Sequence, residues 1–354
     1  MALSLRIKYV IGAVLFLVAG TASLIREDPV LVVLPFVAIL LPTIYEVCVY
    51  KTKWLFYGLI ALLPLSTEIN FTPSLGIDFP DEILMMLLTA LFLIKVVYSP
   101  TLLPRSFINH PLILILLLHL IWVVITTIFS SDPLLSAKYL LAKTWFIVPF
   151  VILPYYFINS KTRLKLVSIL LLTPMGFVVI QSLVRHAFFQ FSFESVKEIY
   201  WPFFRNHVNF SAMLVCLLAA LFTAYKLTPP HRYKNILLLG LVIGLTSVIL
   251  AYSRGAWAAL IIGIAASWLL RKRLIGWSIS AAVICLISVG TWFVADNKYL
   301  DFSPDYNTTV FHKDINDHLQ ATVQFKDVSN AERFYRWIAG LNMIVDKPLT
   351  GFGP

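Results

Sequence analysis

The residues best suited to chemistry are cations set beside apolar runs. Arg254 stands in AYSRGAW, residues 251–257, between NILLLGLVIGLTSVIL and AALIIGIAASWLL. A guanidinium stays charged and presents a planar fork of donors, which suits two-point binding of a phosphate. The same placement fits an arginine that snorkels to lipid headgroups. A charge near the interface costs less than the ~2.5–3.5 kcal/mol of one at the centre of a spanning helix. A second cluster, WPFFRNHVNFSAML at 201–214, sets Arg205, His207 and Asn209 beside aromatic rings. Arg205 could add to a basic pocket and His207 could act as a base. An interfacial aromatic belt with ordinary polar neighbours accounts for the same composition. Asp78, Asp81 and Glu82 offer either a carboxylate pair or cation site, or a solvated loop leading into a helix N-terminus, where the dipole favours acids.

Metal and phosphate chemistry of the usual kinds leaves no trace. Cys48, Cys216 and Cys285 lie singly inside apolar runs, as small packing residues do, and form neither a disulfide framework nor a metal-ligand spacing. His110, His119, His186, His231, His312 and His318 lack metal-like pairing and read as lone polar residues. Gly-rich phosphate loops, HExxH and GxSxG elements are absent from the sequence, and so is any internal repeat.

The elements that must position these residues are membrane helices. Of the 354 residues, 59% are hydrophobic and only 13% charged, which is not the composition of a soluble domain. Charges cluster between apolar runs of roughly spanning length, so the expected fold is an all-α polytopic membrane protein. The runs place spans near 9–25, 29–49, 54–67, 82–98, 111–129, 140–158, 164–184, 207–226, 235–252, 256–270 and 274–294, about 11 in all. The first resembles a signal peptide, with Arg6 and Lys8 before an apolar stretch ending in VAGTAS, but the runs that follow make it a retained span.

Orientation follows from the basic residues. With a cytoplasmic N-terminus, the inner segments collect Arg6, Lys8, Lys51, Lys53, Lys95, Arg105, Lys161, Arg163, Lys165, Lys226, Arg232, Lys234, Arg271, Lys272 and Arg273 against a single acid, Glu46. Acids outnumber bases in the short outer segments. The net charge of +10 is therefore mostly membrane anchoring and needs no nucleic-acid partner. After about residue 295 the chain stays polar on the outer side. Ser329 and Glu332 have capping-box spacing there. Phe334, Trp337, Ile338, Leu341 and Val345 fall on one stripe, which predicts an amphipathic helix near 330–345 with Arg333 and Arg336 on its polar flank.

Three stretches resemble a known family. AYSRGAWAALIIG resembles the signature of the O-antigen ligase and O-antigen polymerase family, membrane glycosyltransferases of the bacterial envelope. AERFYRWIAGLNMIVDKPLTGFGP is similar to that family's R-x-x-x-W…P-L-x-G-x-G-P pattern at the start of a large periplasmic loop, with Arg333 and Trp337 in the matching places. FRNHVNFSAMLVCLLAALF resembles the helix start that precedes them. The resemblance covers about residues 200–354. It implies N-terminal transmembrane helices over 1–200, a ligase-like transmembrane core over 201–294 and the start of the loop over 295–354. It further implies transfer or polymerisation of an undecaprenyl-diphosphate-linked glycan at the periplasmic face of the inner membrane. The acceptor would be lipid A-core or another glycan, and neither metal, cofactor nor nucleotide sugar would take part. Arg254 and Arg205 would hold the diphosphate, with Arg333 as a further contact and His207 beside them. The family's loop continues past G-x-G-P with a histidine motif that supplies the base. This sequence stops at Pro354, so the catalytic residue is expected beyond it and the chain reads as C-terminally truncated. Two other readings stay open: a transporter or flippase for an anionic solute or glycolipid, and a non-catalytic envelope assembly protein.

Overall fold

The computed structural model describes residues 45–72, 75–99, 102–230, 232–295 and 328–354, with scattered helical residues before position 22. Most of the first and second expected spans, His231, and the stretch 296–327 with His312 and His318 lie outside the described residues. Among the described residues, six helices are long and apolar enough to cross a membrane: Pro111–Ile128, Pro133–Phe157, Lys161–Phe188, His207–Leu227, Tyr233–Leu250 and Ile275–Trp292. A shorter apolar helix covers Thr52–Leu65. The chain divides into two compact units, residues 1–119 with 138–171, and residues 120–137 with 172–354.

The first unit packs α1 (Thr52–Leu62) against α2 (Asp81–Tyr98). Its core joins Phe56, Leu59, Met85, Leu88 and Phe92 to Val148 and Leu153. Between α1 and α2 the expected solvated loop is instead an antiparallel hairpin, β1 (Thr67–Thr72) with β2 (Leu75–Phe79), in the register Thr67↔Phe79 to Asn70↔Gly76. The described residues are otherwise helical, as expected of an all-α membrane protein, with this short hairpin as an addition. The alternation in TEINFT is what a two-sided strand needs, and its partner lies only a few residues on. Two short elements follow, α3 (Arg105–Ile108) and the start of the long helix α4 (Pro111–Ile128).

The sixth expected span also differs. Helix α5 (Pro133–Ile147) begins directly after a tight corner and runs through a π-turn at Val148–Ile152 into α6 (Leu153–Phe157). The external loop expected over 130–139 shrinks to a few residues. Pro149 and Pro154 each remove an amide from the ladder, and a π-turn is one way a helix absorbs that change without ending.

The second unit is built on α9 (His207–Leu227), α10 (Arg232–Leu250) and α11 (Arg254–Arg271), which follow α7 (Lys161–Phe188) and the short α8 (Val196–Ile199). Helix α9 packs closely on α10. Gly240 and Gly244, one turn apart, make this possible: a Cβ at Gly244 would sit 2.7 Å from Leu218 Cδ2, and one at Gly240 3.4 Å from Leu221 Cδ2. Small residues at this spacing let two membrane helices approach without obstruction. The final long helix, α12 (Ile275–Val294), has no residue of its apolar window buried. In water that would be a liability; in a bilayer it is the ordinary state of a lipid-facing helix. Helix α13 (Val328–Asp346) matches the expected amphipathic helix. It already includes Val328, so Ser329 lies inside it and not at its N-cap. Glu332 pairs with Arg336 one turn on instead.

Candidate functional site

Arg254 is the first residue of α11, and the turn before it dictates where it stands. The chain leaves α10 at Leu250 and reverses through Ala251, Tyr252 and Ser253. The left-handed residue is Tyr252, with φ 52°. Gly255 is not the hinge: it is already helical, and nothing lies within 4 Å of where its Cβ would be. A non-glycine residue in this region carries roughly 1–2 kcal/mol of steric cost, and here the side chain holds it there. The Tyr252 hydroxyl donates to the Phe191 carbonyl at 2.9 Å. Its ring meets Phe193 edge-on at 5.5 Å and His186 at 6.1 Å. Trp257 Nε1 donates back to the Val248 carbonyl at 3.0 Å and ties α10 to α11. The carbonyl of buried Ser253 accepts from the amides of Ala256 and Trp257 at 3.0 and 3.1 Å, which starts the helix.

The segment 186–206 forms the other wall of this turn. His186, only 1% exposed, places Nε2 at 3.1 Å from the Ser192 carbonyl and packs on Phe191. Arg185 donates to the carbonyls of Trp201 and Glu198. Tyr200 stacks on Phe210 at 4.3 Å, and Phe204 meets the same ring edge-on at 5.5 Å. Burial holds the Tyr200 phenol above its ordinary range, and the nearby Tyr252 adds to the shift, so Tyr200 stays neutral. Asn206 then caps α9, its side chain accepting from the Asn209 amide at 2.9 Å. His186, Tyr200 and Tyr252 thus build the site's frame. A single sequence carried no signal for His186 beyond its place at the end of an apolar run.

Helix α9 packs on both α10 and α11. The links 228–231 and 251–253 are short, so α10 runs antiparallel to each, and the N-termini of α9 and α11 share one end. That end carries Arg205, just before the α9 N-cap, His207 at the start of α9 and Arg254 at the start of α11. Arg254 and His207 are half-buried and Arg205 is exposed. The structure thus brings these three candidate residues to one end.

Arg333 belongs to a differently anchored piece. It is exposed on α13, whose C-terminal extension is fixed by residues far away in sequence. The Phe352 carbonyl accepts from the Ser131 amide at 3.0 Å, from Ser131 Oγ at 3.0 Å and from Ser130 Oγ at 3.2 Å. Lys347 Nζ lies 4.6 Å from the centre of the Phe352 ring. Beside these contacts is a cavity of about 300 Å3, lined by Trp122, Met343, Lys347 and residues 349–353. The first unit has its own largely apolar cleft of about 670 Å3, with Ser106 and His110 among its lining; it contains none of the candidate cations.

The acidic group belongs to the first unit. Asp81 is the first residue of α2 and is buried. It accepts from the Ser66 hydroxyl and, at 2.8 Å, from the Glu82 amide. Glu82 in turn accepts from the Asp78 amide at 3.1 Å. The helix N-terminus was foreseen for these residues; the burial of Asp81 was not. Among the described residues, no group of three His, Cys, Asp or Glu side chains is placed to hold a metal ion.

A family model described as O-antigen ligase matches residues 239–354, the stretch that holds the 251–254 turn, α13 and the Phe352 anchor. No curated protein and no solved structure matches the chain.

Proposed function

Because residues 239–354 carry an O-antigen ligase-type domain, we propose that the protein transfers or polymerises undecaprenyl-diphosphate-linked glycan at the periplasmic face of the inner membrane. The donor is the lipid-linked glycan and the acceptor is lipid A-core or another glycan. The observation that carries this reading is the shared end of α9 and α11. Two arginines and a histidine lie at that end, Arg254 directly after a turn pinned by the Tyr252 contacts.

The chemistry asks for such a site. A sugar C1–O bond to the diphosphate breaks while a bond from C1 to an acceptor hydroxyl oxygen forms. The acceptor proton passes to a base, and negative charge grows on the departing diphosphate. Fixed guanidinium groups at the membrane rim stabilise that charge where water is scarce. Arg254 and Arg205 take this role, with Arg333 as a further contact. Proton transfer from the acceptor contributes separately, and that base lies outside the four residues assigned here.

Orientation rests on two independent supports. The basic clusters place 130–139, 185–206, 251–255 and 295–354 on the outer side. The Phe352 carbonyl accepts from Ser130 and Ser131, which agrees with both segments lying on one side. About 11 spans with a cytoplasmic N-terminus satisfy the same constraint.

The test uses the purified full-length protein in proteoliposomes with an undecaprenyl-diphosphate-linked glycan and an acceptor glycolipid. Transfer is expected from the native protein and not from Arg254→Lys or Arg254→Ala. Full transfer by both variants would exclude Arg254 from the site. Movement of the donor across the bilayer with no new glycosidic bond would replace the enzyme by a carrier.

A further inference from the structure

The Phe352–Gly353 anchor has no role in the reading above, and half of it lies outside residues 239–354. We infer that Ser130, Ser131 and Ser136 are positioning residues: they form a seat that fixes the Lys347–Pro354 segment, and with it the end of the helix bearing Arg333, for glycan transfer. This rests on the reading of the protein as a glycan transferase.

Three features make the seat more than a chance contact. Its hydrogen bonds converge: one carbonyl, that of Phe352, accepts from the Ser131 amide and from two hydroxyls. The serines are themselves organised, because Ser130 Oγ lies 2.7 Å from Ser136 Oγ and accepts from the Asp132 amide at 3.0 Å. Ser136 is 4% exposed, so its hydroxyl is committed to this corner. Finally, the incoming chain is shaped to fit. Gly353 adopts φ 130°, and a Cβ there would lie 2.5 Å from Ser130 Oγ and 2.8 Å from Ser136 Oγ. Only glycine combines that backbone conformation with that approach. Gly351, at φ 65°, makes the bend before it, its amide donating to the Lys347 carbonyl at 3.1 Å. The two glycines of T-G-F-G-P therefore have a physical purpose: the first turns the chain and the second lets the backbone press against a pair of hydroxyls.

The corner that supplies the seat is also built for it. Helix α4 ends at Ile128 and α5 starts at Pro133, so Ser130 and Ser131 stand on a few residues held between two long helices and Ser136 in the first turn of α5. An anchor on such a corner restricts a segment far better than a contact on a free loop. The lost chain entropy is paid in folding, before substrate arrives, which is how a positioning group raises kcat without binding substrate itself.

The experiment compares native full-length protein with Ser130→Ala/Ser131→Ala, Ser131→Thr and Gly353→Ala in lipid nanodiscs. Amide exchange over residues 347–354 reads the seat without any reliance on activity. The double alanine variant and Gly353→Ala should each speed that exchange by about threefold or more. Their kcat for glycan transfer should fall about tenfold, with KM for the lipid-linked donor within about twofold of native. Ser131→Thr keeps the hydroxyl and should match the native protein in both readouts. Unchanged exchange in the double variant means that the serines hold nothing, and the proposal fails. Faster exchange with native kcat means that the seat is structural only, and the proposal fails again. If the native protein transfers no glycan at all, the functional reading falls, while the exchange data still decide whether the seat exists.

Discussion

Two helix N-termini in this protein follow opposite electrostatic rules. Helix α2 starts on Asp81 and α11 starts on Arg254. The partial positive charge of a helix N-terminus favours an acid and disfavours a base by about 0.3–1 kcal/mol each. Asp81 obeys: it is buried and accepts from Ser66 and from the Glu82 amide. Arg254 adds positive charge to an end that already carries some, with no acid in the first turn. A preceding hairpin supports the first end, and a left-handed tyrosine pinned by its ring supports the second. Stability alone explains Asp81. On the proposed reading Arg254 meets the donor's diphosphate, so that amides and guanidinium point at one negative group.

The contrast predicts that the two ends fail differently. The largest effect belongs to Arg254→Lys. It keeps the charge but loses the fork, and transfer in proteoliposomes should drop about 100-fold or more, the scale of losing one preorganised donor to a developing oxyanion. Its thermal unfolding in detergent should shift by no more than about 1 kcal/mol. A variant that unfolds readily would make Arg254 a structural residue after all. Asp81→Ala should behave conversely. It leaves the Ser66 hydroxyl and an amide without their acceptor, at a cost of about 1–3 kcal/mol, while activity per folded molecule stays native. Tyr252→Phe comes next. Losing one hydroxyl bond to the Phe191 carbonyl should cost about 1 kcal/mol in unfolding, with transfer reduced only a few-fold because the ring contacts remain.

The same pair marks what a sequence reveals. The bounds of α9 and α12 and the presence of α13 were legible, because each rests on a local signal: a long apolar run between basic clusters, or a stripe at helical spacing. That Arg254 sits at a helix end was legible for the same reason. The hairpin before Asp81 was not, although TEINFT alternates, because short polar strands are specified by their partner as much as by themselves. Nor was the left-handed Tyr252. Local rules assign a tight reversal to glycine, and Gly255 stood ready to take it; the contacts that overrule this come from Phe191 and Phe193, some sixty residues earlier in the chain. The seat was least visible of all, since Ser131 and Phe352 are 221 residues apart and serines at a loop corner are unremarkable in composition. Sequence gave the cations; tertiary contacts decided what holds them.

The smallest expected effect sharpens the comparison most, because it separates burial from dipole at Asp81. The dipole and the two hydrogen bonds favour the carboxylate, and burial favours the carboxylic acid. Burial wins, with some help from Asp78, so the Asp81 pKa lies above its ordinary value of 3.8. A carboxyl with a raised folded pKa binds more protons folded than unfolded, so its ionisation lowers stability as pH rises through the window above 3.8. Asp81→Asn keeps an acceptor for Ser66 and for the Glu82 amide but cannot ionise. Raising the pH from about 4 to about 7 should therefore cost the native protein more stability than it costs this variant. Thermal unfolding of both proteins at the two pH values reads the difference directly. If the native protein instead gains on the variant with rising pH, the dipole outweighs burial at α2, and the two helix ends differ by charge sign alone.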